Sequence, residues 1–128
     1  DKRWPTKNYA QLASRLVSKN ILPVVIGHKP ETKLARYISL ICPESKDLTN
    51  KTSMIDIIAL ARQAAGAVGN DTGPMHVIST SGTPSLVIYS HASDPQMCGQ
   101  RGNNVSIIRQ QSLENLSVNE VEASLQLR

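Results

Sequence analysis

The sequence predicts an α/β domain, an open parallel sheet with helices on both faces. Three observations carry that prediction. Apolar runs of strand length alternate with segments of helical period along the chain. The apolar residues are aliphatic: aromatics make up 3% of the 128 residues and Phe is absent, a usage that suits helices packed over a buried parallel sheet. Finally, an acidic turn, Asn70-Asp71-Thr72-Gly73-Pro74, joins a small-residue apolar run to a helical one, the form of a strand that feeds directly into a helix.

The elements follow in order. Tyr9, Leu12, Ala13, Leu16 and Val17 recur at the spacing of an amphipathic helix, with Pro5 ahead of it and Asn20 as its stop. Leu22–Ile26 is a short strand ending at Gly27. A second helix starts near Pro30-Glu31 and runs through Leu34, Tyr37, Ile38 and Ile41. Leu48-Thr49 is a very short strand. Ser53-Met54-Ile55-Asp56 has the form of a capping box and opens a helix through Ile57, Ile58, Leu60 and Ala61. A strand near Ala67-Val68 leads into the acidic turn and a short helix. Pro84–Tyr89 is the next strand, residues 90–104 read as a long polar loop, and Val105–Ile108 is a last strand. A second capping box, Ser117-Val118-Asn119-Glu120, opens a C-terminal helix with Val118, Val121 and Leu125 on one face. Lys2-Arg3-Trp4-Pro5 reads as the turn after a first strand that the sequence does not contain. The chain begins at Asp1 without a Met and is expected to be part of a longer protein.

The composition excludes several classes. The formal charge of +4 comes from scattered residues, not from a run, and four aromatics offer no stacking platform for single-stranded nucleic acid. Cys42 and Cys98 are too few for a disulfide framework. Reduced thiols and a cytoplasmic location are expected. No apolar run approaches 18 residues and no signal peptide is present. No His, Cys and Asp cluster has metal-ligand spacing.

The acidic turn is the strongest functional signal. Asp and Thr are good helix caps, and Pro is favoured in the first turn. A helix starting abruptly at the carboxyl end of a buried strand presents free amides and a positive dipole end to the crevice where such sheets bind ligands. His76 stands four residues after Thr72. It is either a core histidine or a group aimed at whatever the helix amides hold. Asp71-Thr72-Gly73 also has the form of an aspartic-protease loop, but that chemistry needs two such loops on an all-β fold. Glu31, in the first turn after Gly27, can accept ribose hydroxyls or simply complement the helix dipole. Lys2 is a candidate phosphate partner. No Gly-x-Gly-x-x-Gly and no P-loop occurs.

Taken together, Lys2-Arg3-Trp4-Pro5, Gly27 with Glu31, Lys51-Thr52-Ser53 and Asn70 through His76 resemble, in order and separation, the C-terminal half of glycosyltransferase family nine, the lipopolysaccharide heptosyltransferases. Ser93-Asp94-Pro95 through Arg101-Gly102 and Leu116 through Val121 also resemble that family. The likeness covers nearly the whole chain.

The resemblance implies two facing Rossmann-like domains, the GT-B architecture. Residues 1–128 would be the C-terminal, donor-binding domain, and the N-terminal acceptor domain with its general base would lie outside this chain. The donor would be a nucleotide sugar, typically ADP-heptose, and the acceptor a lipid-linked saccharide. Lys2 would contact the donor phosphates and Glu31 the adenosine ribose. Thr52 would lie near the adenine, where many members carry a bulkier apolar residue. Asp71, Thr72, Gly73 and His76 would line the diphosphate and sugar. The implied reaction is an inverting transfer in which Lys2, His76 and the helix amides stabilise the leaving diphosphate, so no cofactor or metal is demanded. The enzyme would work in the cytoplasm, peripherally at the inner membrane, and this chain alone would bind donor without catalysing. The alternatives are a non-catalytic nucleotide-binding module on the same fold and half of a nucleotide-sugar epimerase.

Overall fold

The computed structural model describes residues 3–90 and 104–128. Lys2, His91, Cys98 and the Ser93–Gly102 segment lie outside the described residues. The chain divides into two compact units, Pro5–Thr52 and a second formed by Asp1–Trp4 with Ser53–Arg128.

The Pro5–Thr52 unit opens with α1 (Thr6–Ser18). Its apolar stripe buries Ala10 and Ala13 against Ile38 and Cys42, with Tyr9, Val17 and Val25 packed alongside. The expected stop at Asn20 is a Schellman motif. Asn20 takes a left-handed backbone at φ 63°, its N–H bonds the Val17 carbonyl, and the Ile21 N–H reaches back to Leu16 at 3.0 Å. Next come β1 (Val24–Val25), a 3-10 turn (Lys29–Glu31), α2 (Thr32–Ile41) and β2 (Lys46–Asp47). β1 and β2 pair in parallel, Val24 with Lys46 and Val25 with Asp47. The second strand was expected at Leu48-Thr49 and lies two residues earlier. Backbone bonds from Lys46 to Pro23 and from Leu48 to Val25 define it, and a polar Lys-Asp pair gives no hydropathy signal for them. Cys42 is a buried free thiol.

The larger unit holds α3 (Met54–Gln63), β3 (Ala67–Asn70), α4 (Gly73–Thr80), β4 (Ser85–Ser90), β5 (Val105–Gln110), a 3-10 turn (Leu113–Asn115) and α5 (Val118–Ser124). β3, β4 and β5 form a three-stranded parallel sheet in that order, with Asn70 opposite Ile88 and Ile88 opposite Ile108. All six residues of β4 are buried, as a central parallel strand covered on both faces must be. Both capping boxes form: Ser53 Oγ accepts the Asp56 N–H, and Ser117 Oγ accepts the Glu120 N–H. The α/β class and the parallel pairing match the expectation, with the strands distributed over one two-stranded and one three-stranded sheet.

Arg128 closes α3. Its backbone N–H bonds the Ala65 carbonyl, while its guanidinium donates to the carbonyls of Ala61, Arg62 and Ala64 at 3.1, 2.8 and 2.9 Å. A cation on the last carbonyls of a helix satisfies acceptors that have no partner within it and complements its dipole. Gly66 makes the close approach possible, since a Cβ there would stand 2.6 Å from Leu127 Cδ2. Among the described residues no helix is long and apolar enough to cross a membrane.

Candidate functional site

The acidic turn lies where the sequence puts it, between the carboxyl end of β3 and the start of α4. Thr72 is the N-cap: its backbone is extended and its Oγ1 faces the Met75 N–H at 3.5 Å. The His76 N–H bonds the Thr72 carbonyl at 3.1 Å, which closes the first turn. Gly73 and Pro74 occupy the first two helical positions. Pro74 has no N–H to orphan, and the Gly73 N–H has no carbonyl upstream within the helix.

Asp71 is not the helix cap. Its carboxylate, 8% exposed, lies with Oδ1 3.2 Å from Nε2 of His76, whose ring is 48% exposed. His76 is therefore not a core histidine. It stands at the surface, one helical turn along, with one face of its chemistry committed to Asp71. Half-exposed imidazole, helix start and cap form a single polar patch at the end of β3.

Two glycines shape this patch for different reasons. A Cβ at Gly69 would come 3.0 Å from Met75 Cγ and 3.2 Å from its sulfur, so Gly69 lets α4 lie close on β3. Among the described residues a Cβ at Gly73 would meet nothing within 4 Å, and Gly73 has no left-handed backbone. The described residues make no demand for glycine at 73 and leave the space above it open.

Asn70, which sequence reasoning left without a role, ties the turn down. Its Oδ1 accepts the Trp4 backbone N–H at 3.0 Å and its Nδ2 donates to the Ile88 carbonyl at 3.3 Å. Trp4 is fully buried and its indole N–H bonds the Leu116 carbonyl at 2.9 Å. The available signal was an Asn at the end of a strand, where that residue type is depleted unless its amide is used.

The other candidates belong to the Pro5–Thr52 unit. Glu31 closes the 3-10 turn ahead of α2, and its Oε1 accepts the His28 N–H at 3.1 Å. One carboxylate oxygen therefore caps backbone, the helix-start role weighed from the sequence. Gly27 permits this return, because a Cβ there would press on the Glu31 Cβ at 3.1 Å. Thr52 is half-buried at the last position of the unit. Among the described residues no cluster of three or more His, Cys, Asp or Glu is placed to hold a metal ion.

Known proteins share this sequence pattern and this fold. The profile of glycosyltransferase family 9 (heptosyltransferase) matches residues 1–126. Lipooligosaccharide heptosyltransferase 2 of Haemophilus influenzae is 27% identical over 113 residues, which cover 84% of this chain and 32% of that protein. Lipopolysaccharide heptosyltransferase 2 of Escherichia coli is 26% identical over the same share of each. The solved structure of E. coli heptosyltransferase WaaC with ADP superposes with a TM-score of 0.85 at 24% identity, over 96% of this chain and 39% of that one. E. coli ADP-heptose lipopolysaccharide heptosyltransferase II gives 0.84 at 22% identity, over 94% and 40%. The chain thus spans about a third of the length of the curated relatives it matches. With a family match along almost its whole length, the chain belongs to glycosyltransferase family 9, the heptosyltransferases.

Proposed function

We propose that this chain is the donor-binding, C-terminal domain of an inverting glycosyltransferase that moves a heptose from ADP-heptose to the inner core of lipopolysaccharide. The observation that carries this reading is the patch at the start of α4. A half-exposed His76 paired with Asp71, a helix N-terminus and a Gly73 that no other described residue crowds lie together at the carboxyl end of β3. Helix starts at that edge of a parallel sheet are suited to phosphate.

Each residue then has a task. The start of α4 receives the diphosphate, with the Gly73 N–H as donor and no side chain to block approach. His76 donates to a phosphate or sugar oxygen, and Asp71 holds the ring. Lys2 adds a flexible ammonium to the same diphosphate. Glu31 keeps carboxylate acceptor capacity for the ribose beside its His28 bond, and Thr52 contacts the base. As the glycosidic bond to the diphosphate breaks, negative charge grows on the leaving phosphate. These positive groups bind that charge more strongly than they bind the ground state, which lowers the barrier. The N-terminal domain would bind the acceptor, whose hydroxyl forms the new glycosidic bond, and would supply the base that removes its proton, at the cytoplasmic side of the inner membrane.

The test is calorimetric titration of the chain with ADP, UDP and GDP. Saturable binding of ADP alone, abolished by Asp71→Ala, is expected. Preference for UDP or GDP would retain the transferase and replace the heptose donor. Turnover of a nucleotide sugar by this chain alone would contradict the division of labour proposed.

A further inference from the structure

α2 (Thr32–Ile41) carries apolar residues on two faces, and the fold uses one of them. Ala35 and Ile38 are buried, and Ile38 packs with Ala10 and Ala13 of α1 beside Cys42. At about 3.6 residues per turn, Lys33, Arg36, Tyr37 and Leu40 fall on the opposite side, with Ile41 flanking them. Leu40 is 75% exposed, Ile41 49% and Tyr37 41%, and Lys33 and Arg36 are exposed too. A lone exposed Leu is ordinary, but large apolar residues at i, i+3 and i+4 make a patch. The helix contains no carboxylate. Of the acidic residues beside it, Glu31 accepts the His28 N–H and Glu44 stands beyond the last turn, near the Cys42 thiol. Asp47 is within electrostatic reach of Arg36 but belongs to β2. The outward stripe of α2 therefore combines apolar side chains with cations and no acid.

We propose that this stripe docks the protein on the anionic headgroups of a phospholipid bilayer. A helix lying along a membrane surface puts aliphatic side chains below the headgroups and an aromatic with a polar tip at their level. Its cations stay above, with their stems along the apolar surface. Leu40 with Ile41, Tyr37, and Lys33 with Arg36 supply those three classes in turn. Lys33 stands four residues before Tyr37, and Arg36 four before Leu40, the spacing of neighbours on one helix face. At ten residues, ~15 Å long, α2 can lie in the interface but cannot span it. Charge argues against a second copy as the occupant. The same stripe from another protomer would bring Lys33 and Arg36 against their like, and the formal charge of the chain is +4. An anionic lipid surface offers the opposite sign, and its attraction grows with each cation. The inference stands on α2 and not on the donor site. Where the acceptor is carried by a lipid, as in the function proposed above, such a surface would keep the enzyme at the membrane that holds it.

Co-sedimentation of the 128-residue chain with vesicles tests this. Vesicles of phosphatidylglycerol and phosphatidylcholine in equal parts are compared with phosphatidylcholine alone, at low and at high salt. Binding to the mixed vesicles is expected, and much less to phosphatidylcholine or in high salt, because salt screens the headgroup potential. Lys33→Gln with Arg36→Gln should lower partitioning about twentyfold at low salt, about fivefold for each cation. Leu40→Ser should lower it about tenfold at either salt concentration, through lost apolar burial. In Leu40→Trp, vesicles should shift the added indole emission to the blue, and lipids brominated on the acyl chain should quench it, against the constant signal of the buried Trp4. Circular dichroism reports folding; if Leu40→Ser does not fold, the Lys33 and Arg36 variant and Leu40→Trp carry the test. Absence of binding to the mixed vesicles would overturn the proposal. So would binding indifferent to salt and to both cations, binding with no change at residue 40, or a dimer that Leu40→Ser dissociates, which would give the stripe to a second copy. ADP affinity should be the same in all these variants. A chain that binds vesicles as expected but no ADP would lose the donor reading and keep this one.

Discussion

Nε2 of His76 lies 3.2 Å from Oδ1 of Asp71, with the imidazole half in solvent and the carboxylate almost wholly withdrawn from it. The pair joins the residue before the α4 N-cap to one in its first turn, so it aligns the ring with the end of the sheet. With the imidazole half in solvent, the pair contributes modestly to stability, on the order of 1 kcal/mol. Its value is in aiming the ring.

His76→Ala should therefore separate binding from folding. We expect thermal stability to change by less than about 1 kcal/mol, and ADP affinity to fall about tenfold for the loss of one donor to a charged oxygen. His76→Gln, which keeps an N–H donor, should recover part of that loss. A variant that unfolds in step with its loss of affinity would place His76 in the fold and not in the site.

Gly69 and Gly73 make opposite predictions from one substitution. Gly69→Ala drives a methyl against the Met75 side chain and should cost about 1–3 kcal/mol, as overpacking usually does. Gly73→Ala meets nothing among the described residues and should leave stability unchanged or raised by up to about 1 kcal/mol, since Ala is the better helix former. Only Gly73→Ala should lower ADP affinity in a fully folded protein. Chemical denaturation beside calorimetry reads both quantities. Unchanged ADP affinity in Gly73→Ala would remove the open space from the binding argument.

Two carboxylates set the acid limit of the fold. Thr49 holds the Asp47 carboxyl below the usual range, its hydroxyl close by and its backbone N–H donating at 2.8 Å, with Lys51 and Arg36 adding to this against the opposing effect of burial. Ser53 does the same to Asp56 through its backbone and side chain. Both pKa values are lowered on folding, so in acid the unfolded chain takes up these protons first. Their stabilisation is present above the unfolded value of about 3.9 and is lost as pH falls through the folded values. Denaturation midpoints measured between pH 2 and 5 should show a shallower pH slope in Asp47→Asn with Asp56→Asn than in the unsubstituted protein. Equal slopes would show that other groups govern acid unfolding.

Arg128→Ala should be among the most damaging surface changes. It strips the guanidinium from three carbonyls at the end of α3. The expected loss is about 1.5–3 kcal/mol, the range for hydrogen bonds made by a charged group. Arg128→Lys, with one point charge in place of a fork, should recover less than half of it. Thermal melts of the two variants check this.

Much of the fold was legible because it is local. The apolar spacing of Tyr9 to Val17 and the Asn20 stop give α1 with its Schellman end, and Ser53 with Asp56 and Ser117 with Glu120 give two helix starts down to their bonds. The Asp71 turn is legible for the same reason, as its strand, cap and helix are contiguous. What escaped is non-local or polar. β2 consists of Lys46 and Asp47, whose pairing is made by backbone alone. The use of the Asn70 amide depends on Trp4, 66 residues distant. The grip of the Arg128 guanidinium on three carbonyls at the end of α3 spans more than sixty residues, and nothing in a Leu-Gln-Leu-Arg run announces it. The Leu113–Asn115 turn, with no cap signature, was also not foreseen. At the site, the sequence supplied the residue types, and the structure decided which of Asp71 and Thr72 caps the helix and which holds the histidine.

The Arg128 clamp also gives this unit an order in time. A ribosome releases α3 well before it adds the residue that covers the helix's last carbonyls. Until then those oxygens are left to water and the helix end can fray. The end of α3, and not the contiguous turn that carries Asp71 and His76, would therefore be completed last, once synthesis has passed residue 128.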